Sequence, residues 1–208
     1  SLTLSASPDM ITQDGRSQAT IEVVARDANS QPVRGLTVRA QTLVGGLAAA
    51  NVVAGQPLAE SDLLRMAVAV EGHADNVAPA LLGGCRIVVQ DGDRYSVAAI
   101  PLRPGLKAVL FIPDFEMPTR QARAILPPQV SRADAVFNIG RAALLTAALA
   151  TGEWSYLRVA TQDRLHQPAR QALFPAMPRL FAAALEAGAL GAFLSGGGST
   201  VLALAYGR

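Results

Sequence analysis

The chain has 208 residues, half of them hydrophobic and 16% charged, so it can bury a core and lacks the composition of a disordered segment. Its net charge of +2 comes from arginines set singly along the chain, with Lys107 the only lysine, and no basic face of the kind that binds nucleic acid stands out. Cys85 is the only cysteine, which excludes an intrachain disulfide and a cysteine-based zinc site, and neither a run of about 18 apolar residues nor a signal peptide is present.

Two patterns meet near Leu43. Before it the period is two: Ile21, Val23 and Ala25 alternate with polar neighbours, as do Leu36, Val38 and Ala40. Such alternation predicts strands, with turns at Asp14-Gly15 and around Asn29-Ser30-Gln31-Pro32. The stretch "SASPDMITQDGRSQATIEVVARDANSQPVRGLTV" resembles the first half of a bacterial immunoglobulin-like domain of the invasin/intimin kind. A sandwich of that kind needs roughly 100 residues, so residues 1–43 supply half a domain at most. Their unpaired edges are expected to seek the hairpin predicted at 84–100.

Helices follow. "VGGLAAANVVAG" reads as a small-residue helix ending at Gly55, and Ser61-Asp62 could cap a helix bearing Leu63, Leu64, Ala67 and Val68. Residues 84–100 read as a hairpin turning at Asp91-Gly92-Asp93, and "LKAVLFIP" has the length of a buried strand. Val136, Ile139, Gly140, Ala143 and Ala147 mark the apolar face of a helix over about 132–150. Leu180, Phe181, Ala184 and Leu185 mark another, closed by Gly188. "ALGAFLS" and "TVLALAY" are then two apolar strands around a glycine-rich loop. From residue 44 onward the pattern is α+β.

Four stretches could carry chemistry. In "VEGHADNVAPALLGG", Glu71, His73, Asp75 and Asn76 fall within six residues. Two carboxylates, an imidazole and an amide can together hold a hard cation and a polar substrate. The plain alternative is a polar connection between helices, with Asp75 or Asn76 as an N-cap. In "MPTRQARAILP", Thr119 and Arg123 are four apart and share a helix face, where they could grip a carboxylate or phosphate. An ordinary first turn after Pro118 with a solvated arginine is the other reading. "QDRLHQPAR" offers Asp163, His166 and Arg170. A Ser-His-Asp triad with Ser195 is disfavoured, because "SGGGS" is not a nucleophile elbow. Finally, Gly196, Gly197 and Gly198, bracketed by apolar strands, could let backbone N–H groups approach an anion.

These four pieces, in this order, resemble the homoserine kinases of the galactokinase, homoserine kinase, mevalonate kinase and phosphomevalonate kinase superfamily. The likeness runs from about Val44 to Arg208, and "EGHADNVAPALLGG" with "GAFLSGGGSTVLAL" carries it. It implies a truncated two-domain small-molecule kinase fold preceded by the β-rich segment. The remnant of an N-terminal kinase domain would span 44–104, and an incomplete ferredoxin-like C-terminal domain 105–208. It also implies transfer of the ATP γ-phosphate to the hydroxyl of L-homoserine, with Mg²⁺, in a cytoplasmic threonine-forming pathway. No nucleic acid or membrane partner is implied, and a homodimer is one assembly open to it.

By the same resemblance Glu71 would bind the metal and act in catalysis with Thr119 and Arg123. His73, Asp75, Asn76, Arg123 and Arg170 would line the substrate site, and Ser195, Gly196, Gly197 and Gly198 would form the phosphate-side loop. Asp75 would suit the substrate ammonium and the two arginines its carboxylate. The family's glycine- and serine-rich phosphate loop should precede "VGGLAAAN", and "LTVRAQTL" stands there instead. Impaired catalysis is therefore expected. The alternatives are a non-catalytic immunoglobulin-like adhesion module, or a kinase for another small alcohol such as mevalonate.

Overall fold

The structure is a computed structural model that describes residues 2–7, 20–25 and 42–207. The reading of a strand at 36–41 lies outside the described residues. The chain divides into two compact units, Ser1–Ala99 and Ile100–Arg208.

In the first unit β1 (Leu2–Ser7) and β2 (Thr20–Ala25) pair antiparallel, Leu2 opposite Ala25. Among the described residues they pair with each other and not with the later hairpin. Three helices follow: α1 (Thr42–Val53), α2 (Glu60–Glu71) and α3 (Val77–Leu82). Leu63, Leu64, Ala67 and Val68 recur at the helical period and are buried, the last three packed in one core with Val44, Val77 and Ala78. Helix α2 starts one residue before Ser61. Ala59 holds the N-cap position with no side-chain cap, and Ser61 and Asp62 sit in the first turn. Gly72 ends the helix in the left-handed region, its N–H donating to the Val68 carbonyl at 2.8 Å. The hairpin β3 (Cys85–Asp91) and β4 (Arg94–Ile100) turns at Gly92, where φ is +61°. Its Val88, Tyr95 and Val97 close the core.

The second unit is built on a three-stranded antiparallel sheet of β5 (Leu106–Phe111), β6 (Gly191–Leu194) and β7 (Val201–Tyr206), in the order β5-β7-β6. Leu106 faces Tyr206 and Leu194 faces Val201. That order is the one the first three strands of a ferredoxin-like βαββ arrangement take, and the mixed α+β organisation expected from the sequence is present. The helices are α4 (Thr119–Ala124), α5 (Arg132–Thr151), α6 (Leu157–Ala160), α7 (Gln167–Arg170) and α8 (Met177–Glu186), with a single 3₁₀ turn at Trp154–Tyr156. One core gathers Ala148, Leu157 and Leu204; a second gathers Met117, Ala122, Phe174, Met177, Leu194 and Val201.

Helix α5 begins at Ser131, whose Oγ accepts from the Asp134 N–H at 3.0 Å, and ends at Gly152 with φ +84°. Its orientation corrects the sequence reading. Val136 and Ile139 are 64% and 69% exposed, and it is Leu145 and Ala148 that pack inward. The helix is apolar on nearly every side, so periodicity could not choose a face; the amide and guanidinium of Asn138 and Arg141 fix the rotation through partners in residues 162–164. Among the described residues this is the one helix long and apolar enough to cross a membrane.

Candidate active site

The first unit holds the carboxylate and imidazole cluster. Glu71 is the last residue of α2 and is exposed, and it forms no ion pair among the described residues. His73 Nδ1 lies 2.7 Å from Asp75 Oδ1, an ion-pair distance without hydrogen-bond alignment. The same Asp75 oxygen accepts the Asn76 N–H at 2.9 Å. Asn76 precedes α3 without a side-chain cap. His73 and Asp75 line an open cavity of about 470 Å³ with Val68, Val88, Gln90 and Tyr95. His73, Asp75, Gln90 and Tyr95 make the lining more polar than apolar, an arrangement suited to a small polar molecule.

No group of three or more metal-ligating side chains occurs among the described residues. A Mg²⁺ ion does not need one. It keeps several waters and is commonly held by one or two carboxylates together with substrate phosphates, and the exposed Glu71 carboxylate fits that pattern.

The second unit holds the arginines and the glycine turn. Arg123 is exposed in the last turn of α4. Thr119 opens that helix, and its side chain lies outside the described residues. Arg170, at the end of α7, is only 8% exposed. Its Nε donates to the Ala122 carbonyl at 3.1 Å and its Nη1 to the Gly196 carbonyl at 3.0 Å. His166 Nδ1 is 2.9 Å from the same Nη1. Nη2 makes no hydrogen bond among the described residues.

One guanidinium therefore joins α4, α7 and the glycine turn. Burial lowers the pKa of Arg170; Asp163 opposes that shift and the positive charge of Arg123 adds to it. Two guanidinium groups that repel each other beside a glycine turn are relieved by an anion placed between them.

The turn itself is tightly made. Ser195 N–H donates to the Thr200 carbonyl at 2.8 Å and Gly198 N–H to the Ser195 carbonyl at 3.0 Å. Two backbone donors are thereby used within the turn. Ser199 Oγ donates to the Phe115 carbonyl at 2.6 Å. Gly198 has φ +94°, and a Cβ there would stand 2.8 Å from Met117 Sδ.

Asp163 and His166 serve this assembly rather than a triad. Asp163 accepts from the N–H groups of His166 and Gln167 at 2.8 and 2.7 Å, and from Asn138 Nδ2 at 2.6 Å. Burial raises the Asp163 pKa, but these donors outweigh it and hold the carboxyl below its ordinary value. Burial and Arg170 lower the pKa of His166 against the pull of Asp163. Gln167 Oε1 accepts from the Leu194 N–H at 2.8 Å, tying α7 to β6. Sequence reading missed Asn138 and Gln167. An amide in the middle of an apolar helix was the available signal for Asn138; none existed for Gln167.

Residues 145–207 match the family model of the GHMP kinases C terminal. Over 172 residues the chain is 48% identical to the homoserine kinase of Trichormus variabilis, covering 83% of this chain and 57% of that protein. It is 49% identical to the homoserine kinase of Synechocystis sp., covering 83% and 56%. The crystal structure of homoserine kinase from Cytophaga hutchinsonii superposes with a TM-score of 0.74 at 36% identity, over 79% of this chain and 54% of that one. The chain thus spans a little over half the length of the relatives it matches. The chain is therefore similar to the homoserine kinases over most of its own length, and its residues 145–207 match the GHMP kinases C terminal.

Proposed function

We propose that this chain belongs to an ATP-dependent kinase that phosphorylates the hydroxyl of L-homoserine, a cytoplasmic step in threonine formation. The observation that carries the reading is the pair of guanidinium groups: Arg170, buried and bonded to the Gly196 carbonyl of the Ser195–Thr200 turn, and Arg123, exposed and near enough for its charge to act on Arg170. A planar donor fork suits the carboxylate of an amino acid. Asp75 supplies the negative charge for the substrate ammonium, with His73 and Asn76 beside it on the same connection. Glu71 would hold Mg²⁺, which would supply positive charge to offset the negative charge of the ATP phosphates. Thr119, on the Arg123 face of α4, would touch the transferred group, and Ser195, Gly196, Gly197 and Gly198 would border the phosphates.

Phosphoryl transfer asks mainly for positioning and charge neutralisation. Residues 36–43, "LTVRAQTL", contain neither glycine nor serine to cradle a triphosphate. Turnover by this chain is therefore slow relative to the longer homologues, while substrate binding persists.

A coupled assay of ADP release tests the activity, with L-homoserine and mevalonate compared as acceptors. Homoserine-dependent release above the mevalonate rate is expected; a preference for mevalonate would replace homoserine by another alcohol. Arg123→Ala should weaken L-homoserine binding about tenfold or more, the worth of one charge-assisted contact. Because Arg123 is exposed, its removal should leave thermal stability almost unchanged.

A further inference from the structure

Four linked side chains in the second unit include three, Asn138, Asp163 and His166, that the proposed chemistry does not use. Asn138, in the middle of α5, donates from Nδ2 to Asp163 Oδ1 at 2.6 Å and accepts at Oδ1 from the Arg164 N–H at 2.9 Å. Asp163 Oδ2 accepts the first N–H groups of α7, and its Oδ1 stands 3.8 Å from His166 Nε2. On the other side of the ring, His166 Nδ1 is 2.9 Å from Arg170 Nη1. A guanidinium has only donors to offer, so Nδ1 is the acceptor and carries no proton. The imidazole is therefore neutral, with its proton on Nε2, the nitrogen that faces the Asp163 carboxylate.

Count the donors of Arg170. The Nε hydrogen goes to Ala122, and the two on Nη1 go to Gly196 and His166. Three of the five are held inside the protein, and the two on Nη2 remain for an outside anion.

We propose that His166 is a positioning residue for substrate recognition. As a neutral acceptor it fixes the rotation of the Arg170 guanidinium and leaves Nη2 for the substrate carboxylate, while the Asp163 carboxylate, held by Asn138, favours the ring proton on Nε2 by its charge. The inference rests on the assignment of Arg170 to that carboxylate.

It follows that protonating His166 releases Arg170. The ring then has no acceptor, and two cations face each other across 2.9 Å. Two charged groups act on His166: Asp163 favours the proton and Arg170 on α7 opposes it. Arg141 on α5 lines the same small cavity of about 190 Å³. Arg123 on α4 acts on Arg170 in turn. Burial is the largest influence and keeps the ring neutral below its ordinary value.

The test uses the full chain, with L-homoserine titrated calorimetrically into wild type, His166→Leu and His166→Asn. His166→Leu removes the acceptor and should weaken binding about tenfold. His166→Asn places an amide oxygen near the former Nδ1 and should recover binding to within about threefold. The wild type should lose affinity as the pH falls from about 7.5 to about 5.5, and His166→Asn should not.

Long-range ¹H–¹⁵N NMR at the higher pH should find His166 in the Nε2–H tautomer, assigned by its loss in His166→Asn. Wild-type binding with an indifferent His166→Leu variant overturns the positioning role and leaves the carboxylate assignment standing. Absence of homoserine binding by folded wild type removes both. An Nδ1–H or doubly protonated ring at the higher pH overturns the geometry whatever homoserine does. Should His166→Leu fail to fold, His166→Asn and the wild-type pH dependence decide the matter.

Discussion

Arg170 and Arg123 have the same side chain and opposite relations to the fold. Arg170 is buried and donates to carbonyls 48 and 26 positions away, so its loss would leave Ala122 and Gly196 with unpaired oxygens. Arg170→Ala is expected to cost about 2–4 kcal/mol, measured by chemical denaturation. Arg170→Lys should not rescue it, since a single ammonium cannot reach both carbonyls and the imidazole at once. Arg123→Ala should cost well under about 1 kcal/mol, so the pair separates stability from recognition. The sequence offered Arg123, one helical turn from Thr119, as a possible anion grip, and Arg170 took that role only from the family resemblance. That Arg170 also ties three elements together was not legible, because both carbonyls are distant in sequence and belong to unremarkable residues.

The same cluster gives stability a pH dependence. His166 has a folded pKa below its ordinary 6.5, so the unfolded chain binds the proton first as pH falls. Its contribution is complete above 6.5 and is lost as pH drops through the lower folded value. Asp163 acts in the same sense further down, complete above 3.8 and lost as pH falls through its own depressed value. Denaturation midpoints taken across pH should therefore fall in two steps on acidification, and His166→Asn should flatten the first.

Among the elements, α5 shows where a sequence can name a helix and not its orientation. Its extent was read as about 132–150 from the apolar period; the structure bounds it at Ser131 and Gly152, and Ser131→Ala should cost about 1 kcal/mol by removing the acceptor for the Asp134 N–H. Its buried face was not legible, since alanine and leucine occupy several sides and only polar contacts to residues 162–164 settle the rotation. The glycine turn is the opposite case. Three consecutive glycines marked it plainly, and the structure gives Gly198 a positive φ and a methionine sulfur where a Cβ would go. Gly198→Ala is expected to lose about 1–3 kcal/mol and to disturb the carbonyl of Gly196 that Arg170 holds. Asn51 was not legible at all. It is buried and bonds both ways with the backbone of Leu58, closing the α1–α2 connection, a role that no local pattern announces.

At the scale of the molecule, each compact unit carries a polar cluster of its own: Glu71, His73, Asp75 and Asn76 in the first, and Arg123, Arg170 and the glycine turn in the second. The α+β class and most element positions after residue 42 were readable from hydrophobic period and turn residues, which are local signals. Sheet order was not, because the pairing of β5 with β7 joins strands about a hundred residues apart. The account as a whole stands on a carboxylate held by two guanidinium groups. The most direct measurement compares calorimetric binding of L-homoserine with that of 3-aminopropan-1-ol, the same amino alcohol without its carboxylate. The account expects the decarboxylated analogue to bind about 100-fold more weakly; equal affinity for the two would contradict it.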